Sequence, residues 1–163
     1  MNAVEKSMRS SDMREAYSSA LKISACAAAI FPTDRELFES YHEAIVPELM
    51  CFALHGRRVM EAFGVIDTPV ADWGFWPTSR EPDLSSKNLH DTFGHILHST
   101  RASLGWERFE GTIDAYTGRE CRYLGHISFT SEKGTEKFAL AGVSASFLCG
   151  VTAQVNKRIN GAA

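Results

Sequence analysis

The sequence has no closely spaced cysteines and no long apolar run. Its four cysteines form no C-x-x-C pair, which excludes a zinc ribbon or a dithiol redox motif and predicts unpaired, buried thiols at Cys26, Cys51, Cys121 and Cys149. No stretch approaches the roughly twenty apolar residues that a membrane span requires. We therefore expect a protein with no membrane partner, and its thiols indicate a reducing, cytoplasmic environment.

Clusters of positive charge are also scarce. The formal net charge is −3, and the only adjacent basic residues are Arg57-Arg58 and Lys157-Arg158. Binding to a nucleic-acid backbone depends on clustered Lys and Arg side chains that release counterions. No nucleic-acid partner is therefore expected.

The composition is ordinary for one globular domain. The chain has 163 residues, of which 44% are hydrophobic and 23% are charged. A single compact domain over residues 1–163 can bury about two-thirds of the surface that the unfolded chain exposes. Glu15 and Lys22 precede Cys26, so this part of the chain lacks the apolar core of a secretory signal.

The first part of the chain has the pattern of two helices. One is expected over residues 12–30. Thr33 and Glu36 then form a T-x-x-E capping box, and apolar residues recur at helical spacing as far as Gly64. Pro47 is expected to break or kink this second helix.

Residues 64–84 are predicted to form a long loop, because they hold several turn-forming residues. Three aromatic residues lie within it: Trp73, Phe75 and Trp76. Loops of this length often close over ligands, so these three are the predicted substrate-binding residues. The alternative is that the rings simply cover the core beneath the loop.

A third helix is expected after the loop. Ser85 or Ser86 can cap it, and the pattern extends to about Ala102, with Gly105 near its end. This helix carries the densest group of histidines in the sequence.

The C-terminal part of the chain changes pattern twice. Residues 123–140 alternate as in a β-hairpin, with residues 132–135 as the turn, and a last helix is expected over residues 143–160. The predicted fold class is mainly α with a small β-hairpin (α+β), in one compact domain.

The histidine group is the most informative feature for function. Three of the six histidines, His90, His95 and His98, fall within nine residues. Imidazole is a common ligand for iron and zinc. Two ligands on one helix usually lie three or four residues apart, which favours Asp91 or His98 as the partner of His95. His90 lies about 140° from His95 on an ideal helix, so that pair needs a helix end or a local distortion.

Two segments resemble the pterin-dependent aromatic amino acid hydroxylases. Segment 81–95 contains E-P-D and then H-D-T-F-G-H, and the family's iron site has approximately P-E-P-D-x-x-H-E-x-x-G-H. Segment 137–147 is similar to the family's strand followed by Ala-Gly and Ser-Ser-Phe, which lies behind the iron. The resemblance covers about residues 80–147.

Carried over to this sequence, the resemblance implies three metal ligands: His90, His95 and His126. His126 stands where the family has a glutamate ligand. Asp91 stands where the family has a glutamate close to the pterin, and it is the implied catalytic residue. Ser144 or Ser146 would support the first ligand.

The function that the resemblance implies is a mononuclear non-haem iron oxygenase, a monooxygenase or hydroxylase of a small aromatic molecule. Its implied cofactors are Fe(II) and a pterin, and its partner is the small-molecule substrate. The sequence is also compatible with a homo-oligomer.

Two other functions fit the sequence. His55-Gly56-Arg57-Arg58-Val59, with the later H-D and G-H pairs, resembles the HD-domain phosphohydrolases. That resemblance implies a divalent metal held by His55, His90 and Asp91, with Asp114 as the last ligand, which activates water for attack on a phosphate ester. The third possibility is a non-enzymatic helical binding module with incidental histidines.

Overall fold

The computed structural model describes residues 3–71, 84 and 87–161, and describes side chains from residue 9 onward. In chain order the regular elements are α1 (Ala3–Ala28), β1 (Ile30–Pro32), α2 (Arg35–Phe63), α3 (Leu89–Leu97), β2 (Arg101–Ile113), β3 (Glu120–Ser131), β4 (Gly134–Ala139), α4 (Leu140–Ala145), a π-helical segment (Ser146–Val151) and α5 (Thr152–Gly161). The fold is mainly α with a small antiparallel sheet, as predicted.

The long helix α2 is defined by its two ends. Asp34, rather than Thr33, is the N-cap, and its carboxylate accepts a hydrogen bond from the Leu37 amide at 3.0 Å. Gly64 ends the helix with φ 63°, as the sequence predicts, because glycine adopts this left-handed conformation without strain. Pro47 lies inside the helix and does not interrupt it, so the predicted break is wrong.

The first helix is longer than predicted. It extends from Ala3 to Ala28, whereas the sequence pattern indicated residues 12–30. Its buried face is made of small residues and one isoleucine: Ala16, Ser19, Ala20, Ile23 and Ala27. Small side chains let two helices approach closely, and this face packs against α2 and α4.

β3 is the central strand of the sheet. It pairs antiparallel with β2 along most of its length, with β1 near its start and with β4 at its end. The β3–β4 pair is the predicted hairpin. A stacked pair of rings, Trp106 on β2 and Phe38 on α2 with centroids 4.2 Å apart, ties the sheet to the helices.

The third helix is shorter than predicted. It ends at Leu97, and Arg101–Ile113 is the strand β2, so the predicted helix to Ala102 is wrong. Ala102, Leu104 and Trp106 pack against the core at every second position, which is the period of a strand. Gly105 is a strand residue rather than a helix end.

The C-terminal helical region begins three residues before the predicted start, at Leu140, and ends at Gly161. It changes from α to π geometry over Ser146–Val151 before α5. Three mutually contacting rings, Phe52, Phe93 and Phe147, join α2, α3 and this segment at the centre of the core.

The sequence predicts no membrane-spanning segment and four unpaired thiols. Among residues 3–71, 84 and 87–161, no helix is both long and apolar enough to cross a membrane. All four cysteines are unpaired, as predicted, but only Cys121 is buried, and Cys149 is exposed.

Candidate functional site

The predicted histidine segment forms one wall of a polar cleft of about 710 Å³. The cleft lies between α3, the side of α2 and the β3–β4 turn. Its lining residues are mostly charged or histidine: Arg57, Lys87, His90, Asp91, Gly94, His95, His98, Thr100, Ser131, Glu132 and Lys133. The structure therefore brings His90, Asp91, His95 and His98 to a single cavity.

A reciprocal cap positions the start of α3. The Asn88 side chain accepts a hydrogen bond from the Asp91 amide at 2.8 Å and donates one to the Asp91 carboxylate at 3.0 Å. The predicted caps Ser85 and Ser86 lie outside the described residues. Because Asp91 is engaged in this cap, its first role in the structure is to hold the helix that carries the histidines.

His90 belongs to a short chain of charged groups at the edge of the cleft. Its Nε2–H donates to the Glu61 carboxylate at 3.0 Å, and Arg57 donates to the same oxygen at 2.9 Å. Hydrogen bonds from Arg57 and then from His90 lower the pKa of Glu61. Since a carboxylate only accepts, Nε2 of His90 carries a proton, and Nδ1 lies 3.7 Å from the Asp91 carboxylate.

Gly94 lies beside the Arg57 guanidinium. A Cβ atom at this position would lie 2.9 Å from Nη1 of Arg57, so the absence of a side chain lets the guanidinium lie against α3. A side chain at this position would require the Arg57 guanidinium to shift.

His95 is the buried histidine of the cleft, with 4% of its side chain exposed. Its Nε2–H donates to the backbone carbonyl of Phe129 at 3.0 Å, which ties α3 to the central strand. Metal-binding histidines commonly donate their second nitrogen to a carbonyl in this way, because the bond fixes the tautomer and the orientation of the ring. With Nε2 donating to this carbonyl, Nδ1 is the nitrogen of His95 that is left for another partner.

That nitrogen faces a glutamate. Nδ1 of His95 lies 3.6 Å from Oε1 of Glu136, a residue of β4. Lys87 also donates to Oε1, whereas Oε2 of Glu136 is buried and has no hydrogen-bond partner among the residues that the structure describes. A buried carboxylate oxygen without a partner is costly, so this position favours an additional proton donor or cation.

The separation of the two atoms suits a metal ion. With bonds of about 2.1 Å, two ligands on a tetrahedral ion lie roughly 3.4 Å apart. Arg57, Lys87 and Lys133 line or flank the cleft together with four carboxylates: Glu61, Asp91, Glu132 and Glu136. The lining itself carries three cations and two carboxylates, and Glu61 and Glu136 beside it bring the carboxylates to four.

The predicted three-histidine set does not come together. His126 does not line the cleft. Its ring lies on β3 against Gly105, where an added Cβ atom would approach it to 2.1 Å, and its Nδ1 is 3.5 Å from Glu107. Within the described ranges, no three His, Cys, Asp or Glu side chains form a group that could enclose a metal ion. Each predicted ligand faces a carboxylate of its own: Nδ1 of His95 lies 3.6 Å from Glu136, Nδ1 of His90 lies 3.7 Å from Asp91, and Nδ1 of His126 lies 3.5 Å from Glu107. Among the described residues, Glu136 is the carboxylate with a buried oxygen that has no hydrogen-bond partner.

His126 provides a pH-dependent contribution to stability. Burial lowers its pKa, Glu107 opposes this shift, and Lys137 adds to it. The unfolded chain takes up this proton near pH 6.5, and the folded chain only at a lower pH. Stability should therefore decrease as the pH falls through 6.5 towards the folded pKa, and remain level below it.

The expected result is that H126Q loses less thermal stability than the unsubstituted chain between pH 7.5 and 5, measured by melting temperature at each pH in steps of about half a unit. H98Q, at an exposed histidine, is the control and should leave the slope unchanged. Equal slopes for H126Q and the unsubstituted chain would show that His126 does not titrate abnormally.

The other predicted site residues are placed as follows. The predicted substrate-binding residues Trp73, Phe75 and Trp76 lie outside the described residues. Ser144 donates to the carbonyls of Leu140 and Ala141, and Ser146 accepts from the Ala71 amide at 2.8 Å. Both serines thus hold backbone rather than an imidazole.

The residues of the phosphohydrolase pattern are also separated. His55 donates to Asp12 at 2.6 Å and joins α2 to α1, and Asp114 caps the turn between β2 and β3. Neither residue lines the cleft with His90 and Asp91.

The sequence prediction missed Glu61, Lys87 and Glu136. Glu61 follows Arg57 by four residues on a helix, which is a recognisable ion-pair spacing. Glu136 pairs in register with Phe129, whose side chain faces the core. A charged residue at a core-facing strand position is the signal that identifies Glu136.

Comparison with protein-family models, with curated proteins and with solved structures finds no match to this chain.

Proposed function

We propose that the chain is a metal-dependent enzyme that acts on a small molecule in this cleft, with His95 and Glu136 as its protein ligands. The observation that carries the proposal is the pairing of the two residues. Nδ1 of a buried, anchored histidine faces a glutamate whose second oxygen is buried without a partner in the described part of the chain. The remaining coordination positions are left to solvent and substrate.

The chemistry that we propose is oxygenation of a small aromatic molecule by non-haem iron. It is supported by the resemblance of residues 80–147 to the aromatic amino acid hydroxylases, of whose implied ligands this proposal keeps His95, and a ferrous ion with open positions would supply binding and activation of dioxygen. A pterin remains part of this proposal through Asp91, which lines the cleft. His90 and His126 are not proposed as ligands, because neither faces the His95–Glu136 pair in the described contacts.

His90 has a separate role in this proposal, as the group that moves a proton. Glu61 holds the Nε2 proton, and Arg57 holds Glu61, so the imidazole is kept in one tautomer and orientation. The Nδ1 lone pair of His90 then accepts a proton from the substrate or from water in the cleft. We further propose a cytoplasmic location, which the four unpaired cysteines support.

The first test is metal binding. Metal-free protein is titrated with Fe(II) under anaerobic conditions, and with Zn(II) and Mn(II), by calorimetry. One ion should bind, and H95A and E136Q should each weaken binding at least about tenfold. H98A, at an exposed histidine of the same cleft, is the matched control and should bind as the unsubstituted chain does. Unchanged affinity in both H95A and E136Q would refute the proposed site.

Lys87 provides a second measurement in the same assay. It occupies Oε1 of Glu136 and is only partly buried, so K87Q should fold normally and should bind the metal more tightly. A purely structural ion pair predicts the opposite pattern, namely lower stability in K87Q and no gain in metal affinity. This variant therefore separates a metal site from a salt bridge.

The identity of the active metal separates the proposed chemistry from its alternatives. Oxygen uptake with Fe(II), an aromatic substrate and a reduced pterin supports the oxygenase. Release of phosphate with Mn(II) or Mg(II) would support the phosphohydrolase instead. No metal binding and no change in melting temperature in chelator would support a non-enzymatic binding module, because an ion that binds only the folded state must raise its stability.

A further inference from the structure

The strand β2 has an open edge. It pairs with β3 along one side, and within the described ranges no strand pairs with its other side. At 13 residues it is long for a strand, and it contains neither proline nor lysine, two of the residues that commonly protect edge strands. The free backbone groups of such an edge are a template for another strand.

A contact with α2 shows which backbone groups face this edge. The Ala102 carbonyl accepts a hydrogen bond from Nε2–H of His42 on α2, at 3.1 Å, so this carbonyl points away from β3. Successive residues of an antiparallel strand direct their backbone groups to alternate sides. The N–H and C=O groups of Leu104 and Trp106 therefore also face outward.

A groove of about 410 Å³ runs beside this edge, between β2 and the first half of α2. The four successive residues 101–104 of β2 line one wall, and Phe38 and His42 of α2 line the other. A strand added to the edge directs every second side chain towards the helical side of the sheet, which is the side of this groove. The groove shares no lining residue with the metal cleft.

The charges along β2 distinguish the ways in which this edge could pair with a second copy of itself. Antiparallel strands related by a two-fold axis are centred on one residue, which lies opposite its own copy. A centre at Glu107, Arg108 or Glu110 places like charges opposite each other, which is unfavourable. A centre at Leu104 places Arg101 opposite Glu107 of the second copy, and by symmetry does so twice.

The centre at Leu104 also lies where β2 is regular. Pairing with β3 is continuous from Arg101 to Gly105, and the register shift between Gly105 and Trp106 places its extra residue on β3. A centre at Phe109 would also oppose unlike charges, but an irregularity of the strand follows directly after it. Arg101 is exposed and makes no hydrogen bond or ion pair with another described residue, so its guanidinium is available.

We propose that two copies of the chain associate by antiparallel pairing of their β2 strands, centred on Leu104. The Trp106 amide of each copy donates to the Ala102 carbonyl of the other, in place of the imidazole of α2, and Arg101 pairs with Glu107 across the junction. The sheet then continues through both copies. A second copy fits this edge better than an unrelated extended peptide, because β2 itself supplies both halves of the charge pairing.

The test is sedimentation equilibrium of the unsubstituted chain and of two charge-reversed variants. The unsubstituted chain should form a dimer, and R101E and E107R should each weaken it at least about tenfold, because each opposes like charges twice. A one-to-one mixture of R101E and E107R opposes unlike charges again, so it should form a heterodimer. E110R makes the same change on the same strand outside the paired residues, and it is the control that should dimerise normally.

Three sedimentation results would overturn the proposal. The first is a chain that stays monomeric at its highest soluble concentration. The second is a dimer that both R101E and E107R leave intact, since such a dimer uses another surface. The third is a mixture that stays monomeric although both variants melt like the unsubstituted chain. Metal plays no part in this measurement, so its outcome is independent of the proposed enzymatic function.

Hydrogen exchange tests the same register without any substitution, should a variant not fold. The amides of Leu104 and Trp106 face the open edge, so their exchange should slow at least about tenfold as the concentration rises and the dimer forms. The amide of Ser103 faces β3 and should change little. Unchanged exchange at Leu104 and Trp106 in a dimeric sample would contradict the proposed pairing.

Discussion

Replacing Phe93 with alanine is expected to lower the free energy of unfolding by about 3–5 kcal/mol. Phe93 is fully buried, and its ring meets Phe52 edge to face with centroids 4.9 Å apart. Gly56 completes the pocket, since a Cβ atom there would lie 2.6 Å from the Phe93 ring. The smaller side chain leaves a cavity that these rigid neighbours cannot fill.

Urea denaturation monitored by circular dichroism measures the Phe93 effect. Y116A removes an aromatic ring that is 98% exposed in the β2–β3 turn, and it should change the stability by less than about 0.5 kcal/mol. A loss of less than about 1 kcal/mol in F93A would mean that the core collapses around the missing ring. Because Phe93 lies between His90 and His95 on α3, F93A should also weaken metal binding at His95.

Replacing Gly142 with alanine is the second large change, with an expected loss of about 3 kcal/mol or more. Gly142 lies in α4, and a Cβ atom at this position would come within 1.8 Å of the Ala71 carbonyl oxygen. The obstacle is backbone, which a rotamer change cannot move. Alanine otherwise stabilises a helix relative to glycine by up to about 1 kcal/mol, so a net loss reports the clash.

G161A is the matched control for G142A. Gly161 is also helical, in α5, and no atom lies within 4 Å of an added Cβ atom. It should be neutral or slightly stabilising in the same denaturation assay. If G142A were as stable as G161A, the close approach of α4 and the backbone at Ala71 would be disproved.

Local signals predicted the parts of the fold that depend on neighbouring residues. The end of α2 at Gly64 follows from the conformational freedom of glycine, and the β3–β4 hairpin follows from alternation around a short turn. The strand β2 was missed because its first residues continue a helical apolar pattern past Leu97. Only pairing with β3, which is distant in sequence, decides its conformation.

In the candidate site, too, the sequence predicted what depends on neighbouring residues and missed what depends on residues distant in the chain. The histidine segment was recognised from its spacing, and the structure places it along one cleft. The partner of His95 could not be found this way, because Glu136 lies on another element and carries no motif. Nε2 of His95 is hydrogen-bonded to a backbone carbonyl of β3, and this bond decides which nitrogen remains available. No side-chain pattern in the sequence predicts a bond to a backbone carbonyl.

The pairing of β1 with β3 has a consequence for how the chain acquires its structure during synthesis. Ile30 pairs with Tyr123, so the edge strand waits until more than ninety further residues have left the ribosome. At about 5–20 residues per second, this delay lasts several seconds. The contacts between α1 and α2 join neighbouring elements and can form meanwhile, and the late, long-range closure of the sheet should set the folding rate.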